Sequence, residues 1–91
     1  SEFVEEQFLS SMNLAEDALL FGLRMNQGIN IGSIATRFSL QISAFKDVVS
    51  FFDRLVDEGL AESPAKHHYR LTHAGRIVAD GVASDMPGLV D

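Results

Sequence analysis

The chain contains no cysteine among its 91 residues. A disulfide framework, a thiolate zinc site and an iron–sulfur cluster held by the chain's own thiolates are therefore excluded. No apolar run approaches the ~20 residues that a membrane-spanning helix needs, and the first residues are acidic rather than the basic start of a signal peptide. The sequence thus predicts one small domain that has no membrane segment and resides in a reducing compartment, the cytoplasm.

Basic residues are also scarce. Seven Lys and Arg residues stand against thirteen Asp and Glu residues, which gives a net charge of −6. A negative surface repels nucleic acid and anionic lipid. Catalytic motifs are missing as well, since there is no nucleophile elbow, no phosphate-cradling glycine loop and no HExxH zinc motif. We therefore assign no catalytic, cofactor-binding or metal-binding residue, and expect that this chain alone is not an enzyme.

The first half of the chain is patterned as helix. A first helix is predicted to begin at Asn13, which forms a capping-box-like pair with Glu16, and to end near Gly28. Its predicted buried face consists of residues at helical spacing, namely Leu14, Ala18, Phe21 and Met25, and it is widened by Leu19, Leu20 and Leu23. Residues 1–12 are interpreted as a separate N-terminal segment, which is either a short helix or a loose tail.

Residues 31–72 carry the pattern of a helix-turn-helix followed by a β-hairpin wing. Asn30 is predicted to cap a short helix, and the next helix covers residues 43–58 and ends at Gly59 in a left-handed cap. Two short strand candidates, 60–62 and 69–71, flank a polar loop, and residues 29–31 would complete the small sheet.

The predicted fold class is mainly α with a small β-hairpin, winged-helix-like. Thr72 is predicted to cap a last helix whose apolar side contains Ala74, Ile77, Val78 and Val82. The winged-helix-like domain would cover residues 13–83, and residues 84–91 would form an irregular C-terminal tail.

The helix that reads DNA in a winged helix is acidic in this chain. Residues 43–58 contain four acids, Asp47, Asp53, Asp57 and Glu58, but only two bases, Lys46 and Arg54. DNA-binding proteins gain much of their affinity by neutralising phosphates with Lys and Arg. The charge therefore favours a protein partner over nucleic acid, and a winged-helix DNA-binding transcriptional regulator is kept as the alternative function.

Three histidines and two further residues offer sharper hypotheses. His67, His68 and His73 could hold a metal or a haem iron if they converged, although their spacing also fits exposed polar residues on a turn. Arg24 either interacts favourably with the C-terminus of its helix or contacts a partner domain. Phe51 either broadens the core face of its helix or belongs to an apolar patch that a neighbouring domain covers.

The run EDALLFGLRMNQGI, residues 16–29, resembles the start of the C-terminal domain of the oxygen-independent coproporphyrinogen III oxidase family. In that family an acidic residue, an apolar stretch, Leu-Arg, and Gly followed by an aliphatic residue occur in this order. A Gly-Leu pair before the hairpin, here Gly59-Leu60, and Leu-Thr-x-x-Gly after it, here residues 71–75, continue the resemblance. It covers residues 13–83.

The resemblance implies a larger parent protein. That parent would be a radical S-adenosylmethionine protein, either a porphyrinogen-oxidising enzyme of haem synthesis or its haem-chaperone paralogue. Its 4Fe-4S cluster and S-adenosylmethionine would be bound in an upstream barrel domain through a Cys-x3-Cys-x2-Cys motif, which this chain lacks. The chain would then be an accessory domain that packs on that barrel. Arg24 and Phe51 are the candidate interdomain contacts, and no catalytic residue is carried over.

Overall fold

A computed structural model describes all 91 residues, and it is mainly helical with one small sheet. Its elements in chain order are α1 (Glu2–Leu23), β1 (Ile29–Asn30), α2 (Ile31–Arg37), a 3-10 helix (Ile42–Phe45), α3 (Lys46–Asp57), β2 (Ala61–Ala65), β3 (His68–Leu71), α4 (His73–Ile77) and α5 (Ala79–Asp85). The fold class predicted from the sequence is confirmed. No helix combines the length and the apolar character needed to cross a membrane.

α1 is one continuous helix, so the prediction that a helix begins at Asn13 is wrong. Ser1 caps it instead, since its Oγ accepts a hydrogen bond from the Val4 backbone N–H at 3.4 Å. Asn13 costs well under 1 kcal/mol in a helix interior, which is too little to stop a helix that has no proline or glycine before Gly22. The N-terminal end of α1 projects from the body, and the molecule measures 45 × 24 × 19 Å.

The sheet joins β1, which follows α1, to the two strands of the wing. Its strand order is β1-β3-β2 and both pairings are antiparallel. Ile29 pairs with Tyr69, and Ala61 pairs with Leu71. The predicted contribution of residues 29–31 to the sheet is confirmed for the first two of them. An irregularity between Glu62 and Ala65 accommodates the proline that the sequence places in β2.

One core contains all nineteen buried apolar residues. Its largest fully buried side chains are Phe45, Phe52, Leu19, Ile31 and Val48. The face of α1 that packs on it consists of Met12, Ala15, Leu19 and Leu23. The predicted buried face of α1 is confirmed for Leu19 and Leu23 but wrong for Leu14 and Phe21, which are 53% and 68% exposed. α1 carries two apolar stripes, and only tertiary packing decides which of them is buried.

Local capping follows the sequence closely. The Asn30 side chain accepts a hydrogen bond from the Ser33 N–H at 3.0 Å, and the Thr72 hydroxyl accepts one from the Gly75 N–H at 3.2 Å. Both predicted caps are confirmed. Gly59 follows α3 with φ +78°, the left-handed conformation predicted for it.

The segment after α5, residues Met86–Asp91, has no regular structure but packs on the body, and we call it the C-terminal strap. Leu89 is 9% exposed and belongs to the core. Its backbone N–H donates to Glu16 Oε2 at 2.8 Å, and the Val90 N–H donates to the Ala44 carbonyl at 3.0 Å. The strap therefore ties α1 to the 3-10 helix.

Candidate functional site

Arg24 lies at the end of α1 with its charge exposed. Its guanidinium lies 3.7 Å from Asp80 Oδ1 on α5, and the two side chains are 65% and 100% exposed. An ion pair that is this long and this hydrated contributes little to stability. The donors of Arg24 are therefore free to bind a carboxylate on another molecule.

An exposed apolar pair lies two residues before Asp80 in the chain. Ile77 ends α4 and is 71% exposed, and Val78 is 45% exposed. The predicted last helix is broken at Val78, whose φ of −108° and ψ of 23° are not helical. The predicted buried side of this helix is wrong for Ala74, Ile77 and Val78, which are exposed, and right for Val82, because the break at Val78 interrupts the single helical stripe that the prediction assumed. We call Arg24, Ile77, Val78 and Asp80 the junction surface.

Phe51 lies in the core of the domain. It is 5% exposed, and its ring meets the Phe52 ring edge-on at a centroid distance of 5.4 Å. Its burial favours the interpretation that Phe51 broadens the core face of α3. The same side chain also lines a small groove of about 300 Å³ together with Val78 and Val82. Phe51 therefore forms part of the wall of a groove that also includes Val78 of the junction surface, and an interdomain contact by Phe51 remains a prediction.

The outer face of α3 is acidic in the structure as in the sequence. Asp47, Asp57 and Glu58 are exposed there. Asp53 is used by the fold, since its Oδ1 accepts a hydrogen bond from the Tyr69 hydroxyl at 2.6 Å. Burial raises the pKa of the Tyr69 phenol, and the hydrogen bond and the charge of Asp53 raise that pKa further. A hydrogen bond from the neutral Tyr69 phenol therefore joins the wing to α3.

The wing adds little positive charge to this face. The Arg70 Nε donates to Glu62 Oε1 across the hairpin, which neutralises one of its two bases. Lys66 remains, exposed in the turn between β2 and β3. Counted over α3 and its C-cap, the four exposed acids outnumber the two exposed bases, Lys46 and Arg54, and this balance disfavours a phosphate backbone.

The three histidines are not gathered into a metal site. No group of three or more His, Cys, Asp or Glu side chains is placed so that it could hold a metal ion. The His68 Nε2 is 2.9 Å from the Gln27 carbonyl oxygen and is engaged within the domain. His67 occupies the turn of the wing with φ +61°. With no cysteine in the chain, its residues also do not fit the thiolate ligation of the 4Fe-4S cluster that the resemblance places in the upstream barrel.

A second apolar surface opens between α1 and α2. It is a groove of about 890 Å³ whose apolar lining includes Leu14, Phe21, Met25, Ile34 and Phe38. Much of the lining comes from the run 16–29. Arg37 lies on its rim with the guanidinium carbon 4.7 Å from the centroid of the Phe38 ring.

Helical spacing in the sequence assigns Leu14, Phe21 and Ile77 to buried faces, so it does not predict that these side chains are exposed. One signal was present for α1. Its apolar residues cover more of the helix circumference than a single buried stripe needs, which indicates a second contact face. No comparable signal marks Ile77, whose exposure depends on the break in the helix.

Comparison with models of protein families identifies the family of this chain. Residues 9–78 match the model of the HemN C-terminal domain. The comparison with curated proteins and the comparison with solved structures found no match. The match covers well over half of the chain and includes both the run 16–29 and the wing, so the resemblance seen in the sequence is confirmed. The chain belongs to the HemN C-terminal domain family, the accessory domains of HemN-like radical S-adenosylmethionine proteins.

Proposed function

We propose that this domain packs on the radical S-adenosylmethionine barrel of a coproporphyrinogen III oxidase-like protein of porphyrin biosynthesis or haem handling. Its scaffold would be winged-helix-like, and the outer face of α3, which contacts DNA in DNA-binding winged helices, would not bind DNA here. The family match supports a companion domain on the N-terminal side. The single observation that carries the proposal is the junction surface, where exposed Ile77 and Val78 lie within three residues of Asp80, the weakly held ion-pair partner of Arg24.

The role would be positional rather than chemical. Ile77 and Val78 supply apolar area that gains free energy when a partner removes it from water, at about 25 cal/mol per Å². Arg24 supplies the orientation, because a planar guanidinium binds a carboxylate through two parallel hydrogen bonds. The domain would thereby cover part of the barrel and shape the access of substrate to it.

Arg24→Glu tests the proposal directly. We expect the variant to bind the barrel domain, supplied separately, about tenfold or more weakly, since 1.4 kcal/mol corresponds to a factor of ten. Its melting temperature should change little, because both partners of the ion pair are exposed. Isothermal titration calorimetry and a thermal melt measure the two quantities on the same samples.

Lys66→Glu is the matched control, since it makes the same charge change on the exposed wing turn far along the chain. Ile77→Ser should weaken association like Arg24→Glu, again without loss of stability. Equal affinities for wild type, Arg24→Glu and Ile77→Ser would refute docking through the junction surface.

The order of helices and strands keeps a DNA-binding regulator as the second candidate. The sheet order β1-β3-β2 and the hairpin after α3 are the features that favour it. The exposed acids of α3 oppose it.

A further inference from the structure

One apolar stripe of α1 is buried over most of its length and exposed at its start, and we call it the α1 core stripe. It contains six residues at steps of three or four on one side of the helix: Val4, Phe8, Met12, Ala15, Leu19 and Leu23. The last four belong to the core. Val4 and Phe8 are 60% and 40% exposed, and they belong neither to the core nor to the side chains packed against it. The stripe therefore extends beyond the core of this domain.

Residues 2–10 of α1 project from the body, and we call them the α1 arm. All of them are exposed, and they span about 14 Å at 1.5 Å per residue. Glu2 and Glu6 lie on the side of the helix opposite Val4, because successive residues turn by about 100° around a helix axis. The arm thus presents the α1 core stripe on one side and carboxylates on the other. A helical segment this short depends on packing for its stability, and this pattern indicates that its apolar side packs on protein.

The boundary of the matched family domain falls inside α1 and separates the two parts of the stripe. The match covers residues 9–78, so Met12 belongs to the matched domain whereas Val4 and Phe8 precede it. The same match supports a companion domain on the N-terminal side, which is where the α1 arm lies. A domain linked to the arm through the chain is present at an effective concentration on the order of 1 mM. This linkage favours the companion domain as the occupant over a second copy of the chain.

We infer that the barrel domain buries Val4 and Phe8 of the α1 arm, so that α1 is a single helix shared by the cores of two domains. The inference rests on the proposed function in taking the barrel domain as the partner, but it uses the end of α1 opposite to Arg24 of the junction surface. α1 contains no proline, and no glycine before Gly22. A helix without such residues bends only gently. The arm therefore sets the angle between the two domains.

Amide hydrogen exchange compares the 91-residue chain with the polypeptide that contains both domains. In the chain alone we expect residues 6–10 to exchange rapidly, because a helical segment without packing frays. In the two-domain polypeptide the same amides should exchange at least about tenfold more slowly. Equally rapid exchange in both proteins would overturn the inference. Protection in the chain alone that increases with its concentration would also overturn it, because a second copy would then cover the arm.

Val4→Ser and Phe8→Ser locate the contact. Each removes an apolar side chain from the stripe, and we expect the dissociation constant for the separately supplied barrel domain to rise about tenfold or more. Leu9→Ser is the matched control, because Leu9 is 57% exposed in the same arm but lies off the stripe. It should leave the dissociation constant unchanged, although it lowers helix propensity in the same way. Thermal melts of the chain alone verify that each variant keeps its fold.

Ser10→Pro tests whether α1 must be continuous between the two domains. Proline removes a helical hydrogen bond and kinks or breaks the helix between Phe8 and Met12, but it leaves every side chain of the stripe in place. We expect the dissociation constant to rise about tenfold or more, whereas Ser10→Ala should bind like wild type. Binding that tolerates Ser10→Pro but not Phe8→Ser would overturn the shared continuous helix.

The variants of the two surfaces separate this inference from the proposed function. Weaker binding by Arg24→Glu and Ile77→Ser, with unchanged binding by Val4→Ser and Phe8→Ser, would overturn the contact of the α1 arm and leave docking through the junction surface in place. The reverse pattern would support the arm and refute the junction surface. Unchanged binding by all four variants would overturn both.

Discussion

Asp53 has a structural role that its position in the sequence does not reveal. The sequence places it on the solvent face of α3 among other acids, where it counts as repulsion toward DNA. In the structure its carboxylate accepts a hydrogen bond from the Tyr69 hydroxyl, and the Tyr69 ring stacks on Phe52 at a centroid distance of 5.3 Å. Asp53 therefore joins α3 to the wing in addition to carrying a surface charge.

The Tyr69–Asp53 contact predicts a specific alkaline weakening of the fold. The pKa of Tyr69 is raised in the folded state, so folding favours the neutral phenol. Its contribution is complete below the unfolded pKa of about 10 and is lost as pH rises above it toward the folded pKa, by about 1.4 kcal/mol per pH unit while the folded phenol stays protonated. Urea unfolding of wild type and Tyr69→Phe between about pH 8 and 11 measures this.

Tyr69→Phe should be less stable by about 1–2 kcal/mol at neutral pH, because it loses one charge-assisted hydrogen bond. The difference between the two proteins should shrink as pH rises above about 10, since only wild type contains the phenol. A difference that stays constant over this range would contradict the account.

Gly75 and Gly81 are two helical glycines with opposite surroundings. A Cβ on Gly75 would lie 1.9 Å from the Leu60 carbonyl oxygen, which is backbone and cannot move aside alone. We expect Gly75→Ala to destabilise the domain by about 1–3 kcal/mol or more. No atom lies within 4 Å of a Cβ on Gly81, so Gly81→Ala should stabilise it by about 0.5–1 kcal/mol. Thermal melts compare the two, and equal shifts would contradict the prediction.

At the scale of elements, α1 shows the limit of periodicity. Its apolar residues form two stripes, and helical spacing is satisfied by either of them. The stripe containing Leu19 and Leu23 packs on the core, while the stripe containing Leu14 and Phe21 remains exposed. The positions of α2 and the sheet decide which stripe is buried, and the local sequence of α1 contains no information about those positions.

The C-terminal strap is the second element that periodicity does not reveal. Its anchor, Leu89, is 9% exposed, so Leu89→Ala should cost about 2–3 kcal/mol through lost burial and the cavity left behind. Leu9→Ala is the control, because Leu9 is 57% exposed and the change should stay within about 0.5 kcal/mol. Denaturant unfolding measures both, and similar losses for the two variants would show that the strap contributes no packing.

At the scale of the whole molecule, shape and charge point to different partners. The net charge of −6 and the exposed acids of α3 lie on a mainly helical scaffold with a small sheet, for which the sequence predicts a winged-helix-like fold. Charge decides between the two, because phosphate neutralisation supplies most non-specific and much specific affinity for DNA. The exposed apolar side chains lie elsewhere, on the junction surface, on the α1 arm and in the groove between α1 and α2.

An anisotropy titration with duplex DNA at low salt tests this conclusion. We expect no binding tighter than about 10 μM, because neither α3 nor the wing presents a cluster of free bases. A double variant with Asp47→Lys and Asp57→Lys should gain salt-dependent affinity if charge is the obstacle. Sub-micromolar binding by wild type with a steep salt dependence would instead support the transcriptional regulator.

Local chemistry by itself determined much of this protein. Asn30, Thr72 and Gly59 cap their helices as predicted, because each cap depends on atoms within a few residues of the chain. The mainly α class with a small hairpin, the absence of thiolate chemistry, the acidic third helix and the family resemblance were likewise readable from the order of residues. The prediction that a helix begins at Asn13 is wrong because one asparagine inside a helix costs little free energy.

The tertiary structure decided everything that depends on which surfaces meet. It buried Phe51, exposed Ile77 through the break between α4 and α5, placed Leu89 against the core and engaged Asp53 with Tyr69. Burial is a property of contacts between residues distant in sequence, and a periodic stripe states only that some face is apolar. The sequence therefore determined the elements and their charge, while packing determined which apolar faces remain free for another protein.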